Sequence, residues 1–158
     1  MNRFKNIDQQ GLTYLWMLFL VFLLGLGLGK SLEVFGVMDQ RQKEKELLYV
    51  GKMYQEAIKQ YYLSGQEIKT YPKHMKDLLK DPRYSVTRRY IRTLYLDPLT
   101  NKDFLPIYSA EGGICGVKSS SKKRPIKIFF KEDDFQRFNN AKTYQQWEFR
   151  YGCISEHL

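Results

Sequence analysis

Apolar and polar positions divide the chain into three regimes. Leu12 to Gly29 (LTYLWMLFLVFLLGLGLG) carries no charge and lacks the polar stripe of a surface helix. As a helix rising about 1.5 Å per residue it is roughly 27 Å long, near the roughly 30 Å of a bilayer's hydrocarbon core, which predicts a transmembrane segment over 12–29. From Lys30 the pattern turns amphipathic, through Leu32, Phe35, Val37 and Met38 into the charged run Asp39–Glu46, read as solvated. Leu47, Val50, Tyr54, Ala57, Ile58, Tyr61 and Tyr62 then recur at steps of mostly three and four, one apolar stripe on a helix. No proline interrupts residues 12–63, and Ser64-Gly65 is the first adequate stop. The same helix is therefore expected to run through residues 30–65.

Beyond it, residues 66–158 read as a mixed head. Tyr71-Pro72 breaks the chain, Lys73–Lys80 predicts a short helix, and Ile91, Leu94 and Tyr95 a short packed segment. Asp97-Pro98-Leu99-Thr100-Asn101-Lys102 is turn chemistry. Strands are predicted at Phe104–Tyr108, around Ile114–Val117 after Gly112-Gly113, at Ile126/Ile128/Phe130 and at Trp147–Tyr151. Glu132, Asp133 and Asp134 open a short helix over 135–139 and complement its dipole. The fold class is α+β: a long N-terminal helix, transmembrane in its first half, packed against a small antiparallel-sheet head.

The formal charge of +9 changes this picture only in its distribution. Residues 66–158 hold 18 Lys/Arg against 11 Asp/Glu, so the excess sits on the head. There it favours solubility or an anionic partner. Arg83, Arg88, Arg89 and Arg92 interleave with Tyr84, Tyr90 and Tyr95, one way in which single-stranded nucleic acid is held. The alternative turns the tyrosines to the core and the arginines to water. Arg88, Arg89 and Arg92 are thus candidate contacts for an anionic partner. Cys115 and Cys153 have no neighbouring His and make no metal site. They form a disulfide if this part lies outside the cytoplasm, or two buried free thiols otherwise.

Catalytic chemistry is not visible. The glycines at 25, 27 and 29 lie in the apolar run, and Gly112-Gly113 lacks the following helix and Lys-Ser/Thr of a nucleotide loop. His74 has no nucleophile near it in sequence, and His157 is next to last. Three consecutive acids match a calcium loop poorly. No enzyme activity, metal or other cofactor is expected.

Arg3 and Lys5 before the apolar run hold that end in the cytoplasm by the positive-inside bias. Gly27 and Gly29 give a small-x-small signal-peptide pattern, but the apolar run is too long and the amphipathic pattern continues through it. A glycine, Gly11, closing a short leader before a long apolar helix and an α+β head resembles the type IV pilin and pseudopilin family. In the head, Tyr71-Pro72, Leu78-Leu79, Asp81, Arg89-Tyr90-Ile91-Arg92, Leu94, Asp97-Pro98, Thr100, Lys102, the run from Gly112-Gly113-Ile114 to Gly116-Val117, Ser119 and Tyr144–Tyr151 are similar to type II secretion pseudopilin-like proteins related to the major pseudopilin.

The resemblance implies a leader over 1–11, cut by a prepilin peptidase after Gly11, with Leu12 as the methylated first residue. It implies a single-pass protein of a bacterial inner membrane, N-terminus cytoplasmic and head periplasmic. Its partners would be membrane lipid, other pseudopilin subunits and an assembly platform, and its role a short filament driving protein export. A minor pilin binding DNA or a surface through the basic head is the alternative. Trp16 stands where the family usually has an assembly glutamate, and Glu33 where a proline is common. The calcium loop of the major pseudopilins is not recognisable. Gly25 and Gly29 form a small-xxx-small pair suited to close helix packing, or a soft point in the helix.

Overall fold

In the computed structural model the described residues are 8–65, 68–110 and 112–153, with the side chains of 8–10 and 27–35 excepted. Arg3, Lys5, His157 and the surroundings of Gly27, Gly29, Leu32, Glu33 and Phe35 lie outside them. Helix α1 runs from Asp8 to Leu63. Strands β1 (Leu105–Tyr108), β2 (Ile114–Lys118) and β3 (Glu148–Arg150) form an antiparallel meander in the order β1-β2-β3. Three 3-10 turns, Met75–Leu78, Asp133–Phe138 and Tyr144–Gln146, complete the described regular structure. The chain divides into two compact units at Asp39/Gln40, so the α1 stripe and the head belong to one unit. The fold is α+β.

The stripe is buried where its period predicts. Leu47, Tyr54, Ala57, Ile58 and Tyr61 are each at most 3% exposed and Val50 is 5% exposed, while Tyr62 is half-buried. Gly51 lies among them because the ring of Phe149 occupies its side-chain space: a Cβ there would sit 2.5 Å from Phe149. Against this stripe pack rings from late in the chain. Trp147 stacks on Phe138 at 5.5 Å and meets Phe130 and Tyr144 edge-on at 5.4 and 5.0 Å. Such aromatic pairs contribute about 0.5–1.5 kcal/mol each beyond their buried area.

The sheet is small, and β2 is its covered centre. Ile114, Cys115 and Val117 are at most 2% exposed. Ile107 pairs with Gly116 but Tyr108 with Ile114, so Cys115 is the extra residue of a bulge. Gly116 lets β3 approach, since a Cβ there would meet the Phe149 carbonyl oxygen at 2.7 Å. Cys115 is joined by a disulfide to Cys153, with their Cα atoms 6.0 Å apart.

Three expected elements differ. The short helix expected over 135–139 is a 3-10 turn over Asp133–Phe138, with Asp133 and Asp134 in its first turn. Lys73–Lys80 is not a helix but a single 3-10 turn over Met75–Leu78. The expected strand at Ile126/Ile128/Phe130 does not form, and Ile128 is 52% exposed. Its backbone is satisfied by side chains instead of a ladder. Glu44 Oε1 accepts from the Ile126 and Lys127 amides at 3.1 and 3.0 Å, and Asn139 Oδ1 accepts from Phe130 at 2.7 Å.

Gly51→Ala separates helix propensity from packing. Propensity alone favours alanine by about 1 kcal/mol, whereas overpacking costs about 1–3 kcal/mol. The variant is expected to be destabilised by about 1 kcal/mol in denaturant titration. A gain in stability would mean that Phe149 does not seat on α1.

Candidate assembly helix and polar anchors of the head

Residues 11–26 of α1 are exposed on every side. Leu12, Trp16, Phe19 and Leu23 are 58%, 64%, 53% and 50% exposed, and Leu18, Val21 and Leu24 on other faces are 49%, 65% and 60%. Among the described residues Trp16 meets only Phe19 in a ring contact, edge-on at 6.2 Å. Nothing lies within 4 Å of a Cβ built at Gly11 or Gly25. Among the described residues no helix is long and apolar enough to cross a membrane. The last three residues of the expected 12–29 span lie outside the described side chains. The Gly11–Leu12 bond lies inside α1, which begins at Asp8.

At its other end α1 stops against a polar cluster that the sequence did not single out. Arg83 Nη2 donates to the Tyr61 carbonyl at 2.8 Å, to Ser64 Oγ at 3.0 Å and to Asp81 Oδ2 at 2.7 Å. Its guanidinium lies 3.7 Å from the centre of the Tyr61 ring. Tyr90 Oη donates to Asp81 Oδ2 at 2.7 Å, and the Tyr84 hydroxyl donates to the Ser64 carbonyl. Arg83 thus takes up the Tyr61 carbonyl and Tyr84 the Ser64 carbonyl at the C-terminal end of the helix, where the Arg83 charge also suits the dipole. Arg83, expected to face water, has a side chain only 24% exposed.

Asp81 is fully buried. Burial pushes its carboxyl up, but bonds from the Arg83 side chain and amide and from Tyr90 outweigh this and leave it below its ordinary value. Arg83 is held above its usual value, chiefly by the hydrogen bond to Asp81. Tyr61 is pushed up to about 12, first by burial.

Two further buried carboxylates organise backbone in the same way. Asp97 accepts from the Leu99 amide at 2.9 Å, from Thr100 Oγ1 at 2.8 Å and from Ser119 Oγ at 2.7 Å, tying the turn to the end of β2. Glu44 is 4% exposed although its sequence neighbours are charged, a correction to the solvated reading of Asp39–Glu46. Beside it, Gln40 Nε2 donates to the Arg124 carbonyl at 3.1 Å and to Tyr144 Oη at 3.0 Å. Tyr54 Oη donates to the Tyr95 carbonyl and accepts from the Tyr95 amide, at 3.0 and 2.8 Å, which pins the irregular 90–96 segment to α1. Burial pushes the Tyr54 phenol up to about 12.

Arg88, Arg89 and Arg92 are all exposed. Arg88 lies over Tyr84 at 5.0 Å, while Tyr84, Tyr90 and Tyr95 are half-buried. The tyrosines therefore face inward and these three arginines outward. His74 is exposed; its amide donates to Asp77 Oδ2 at 2.9 Å. Among the described residues no group of three or more His, Cys, Asp or Glu is placed to hold a metal ion.

Asp81→Asn leaves the Arg83 charge without its partner. With Arg83 partly solvated, a loss of about 2–3 kcal/mol is expected at pH 7. A depressed carboxyl stabilises the fold fully above its unfolded value of 3.8 and loses that contribution as pH falls through the lower folded value. The deficit of the variant, measured by denaturant titration across pH, should therefore shrink below about pH 4; a constant deficit would overturn the ion-pair account. Separately, Cys115→Ser with Cys153→Ser opens a loop of sequence separation 38. A loss of about 4 kcal/mol is expected by the same titration.

The chain matches no model of a known protein family, no curated protein and no solved structure.

Proposed function

We propose that the chain is a structural subunit of the type IV pilin-like kind, a pseudopilin anchored by residues 12–29 and assembled through them into a short filament of a type II secretion or pilus-like machine. One observation carries this reading: from Leu12 to Leu26 large apolar side chains are exposed on every face of the helix. In water that surface is unfavourable by roughly 25 cal/mol per Å². Lipid covers it before assembly and neighbouring helices cover it afterwards. Gly25 and Gly29 then mark where helices approach closely.

The Cys115–Cys153 disulfide supports an oxidising compartment for the head, such as the periplasm. The role is mechanical and not catalytic: a prepilin peptidase cuts after Gly11, an assembly platform extracts the subunit, and helix packing offsets the lost lipid contacts. Trp16 brings bulk and no charge to the position where the family usually places glutamate. This suits a tip or minor subunit, because no buried carboxylate then needs a partner amine.

A second reading, a minor pilin that binds DNA through its head, is favoured by the outward Arg88, Arg89 and Arg92. It predicts salt-dependent DNA binding that is lost when all three become alanine.

Mass spectrometry of the membrane fraction, from cells with an active prepilin peptidase, tests the first reading. The expected chain begins at methylated Leu12; a chain still beginning at Met1 would falsify processing. Leu20→Cys is expected to give oxidant-dependent dimers in those membranes. Monomers alone would argue for a single-pass anchor without a filament.

A further inference from the structure

Where α1 enters the head unit at Gln40, cations surround protruding apolar side chains. Segment 124–128 is fastened here: Gln40 Nε2 donates to the Arg124 carbonyl, and Glu44 accepts from the Ile126 and Lys127 amides. On one side of the segment Arg41, Lys45 and Lys127 line a groove of about 380 Å³ with Leu48 and Ile126. On the other, Arg124 and Lys142 line a groove of about 470 Å³ with Ile128. Ile128 is 52% exposed and the adjoining Phe129 64%. None of these five cations makes an ion pair among the described residues.

Acids are held away from this end. Glu44 is the one carboxylate that lines either groove, and it is buried with two backbone amides on it. On α1, Asp39 and Glu46 fall about 140–160° round from Arg41, at about 100° per residue. Asp134 pairs with Lys52, eight residues beyond Glu44, or about 12 Å further along the helix. Unpaired cations beside exposed Ile and Phe suit a membrane interface, which offers phosphates to the first and the acyl boundary to the second. The chain keeps such a surface within reach. Eleven residues lead from Gly29 to Gln40, about 16 Å as helix and at most about 40 Å fully extended.

We propose that this end of the head docks on the anionic lipid headgroups of the membrane that holds residues 12–29, with Arg41, Lys45, Arg124, Lys127 and Lys142 on the phosphates and Ile128 and Phe129 entering the interface. The proposal rests on the anchoring reading above and concerns a different surface from Arg88, Arg89 and Arg92, none of which lines either groove. Each basic residue near an anionic surface favours the docked state about fivefold. Removing three therefore lowers the docked-to-free ratio about a hundredfold.

The test uses the full chain in vesicles of phosphatidylcholine, alone or with roughly one-third phosphatidylglycerol. A nitrobenzoxadiazole label at Phe129→Cys is read by quenching from a nitroxide at the lipid headgroup. Quenching is expected to be at least threefold stronger with phosphatidylglycerol, and to lose that gain at about 0.5 M salt, where screening is short. The same label at Val86→Cys, on an exposed loop beyond the other end of the α1 stripe, should show no gain. Arg124→Gln with Lys127→Gln and Lys142→Gln should abolish the gain at position 129, while Arg88→Gln with Arg89→Gln and Arg92→Gln should leave it. Equal losses in the two triple variants would show attraction by net charge alone and overturn the site. Equal quenching in both lipids would overturn headgroup recognition, which this result reads independently of any variant's stability. A gain that grows with the protein-to-lipid ratio would assign the patch to a second copy and overturn lipid docking. Alkaline carbonate extraction separates the two readings: a chain that stays in the vesicles with position 129 unquenched overturns docking alone, and a chain that is extracted overturns anchoring and docking together.

Discussion

Buried carboxylates hold this head together where a larger fold would use strands. β1, β2 and β3 are four, five and three residues long, so most of the backbone between residues 64 and 153 has no ladder to join. A buried amide without an acceptor costs about 1–3 kcal/mol, and long irregular segments accumulate that cost. Asp81, Asp97 and Glu44 each accept at least two hydrogen bonds, and Asn139 plays the same part for Phe130. The three carboxylates are each fixed to something rigid: Glu44 to α1, Asp97 to the end of β2 through Ser119, Asp81 to the end of α1 through Arg83.

Helix α1 serves this arrangement as a template. Its stripe from Leu47 to Tyr61 orders aromatic rings that lie nearly a hundred residues later in the chain, its polar positions Gln40 and Glu44 fasten segments that carry them, and Tyr54 pins the 90–96 segment. The bulged disulfide at Cys115 ties the final described segment to the central strand. The same helix is apolar without a stripe from Leu12 to Leu26, where its large side chains are exposed on every face. One element thus has two surface chemistries, and the proposed role in a membrane and a filament uses both.

The sequence by itself determined α1, its stop at Ser64, its buried stripe and three of the four strands expected, because periodicity and breakers are local signals. It also marked the uncharged run and Gly11-Leu12. It misplaced the fourth strand, since Ile126, Ile128 and Phe130 alternate as a strand does while the acceptors for their segment sit on α1 and Asn139. The burial of Glu44 and the role of Arg83 were hidden for a related reason. A charged residue beside other charges reads as solvated, and only a partner distant in sequence makes its burial favourable. The outward turn of Arg88, Arg89 and Arg92 and the inward turn of the tyrosines follow an expectation already drawn from the sequence, whereas the burial of Glu44 and the seating of Arg83 against the end of α1 were tertiary decisions. Each depends on which segments meet across the core, and that is set by packing against α1, not by any pattern within the segments themselves.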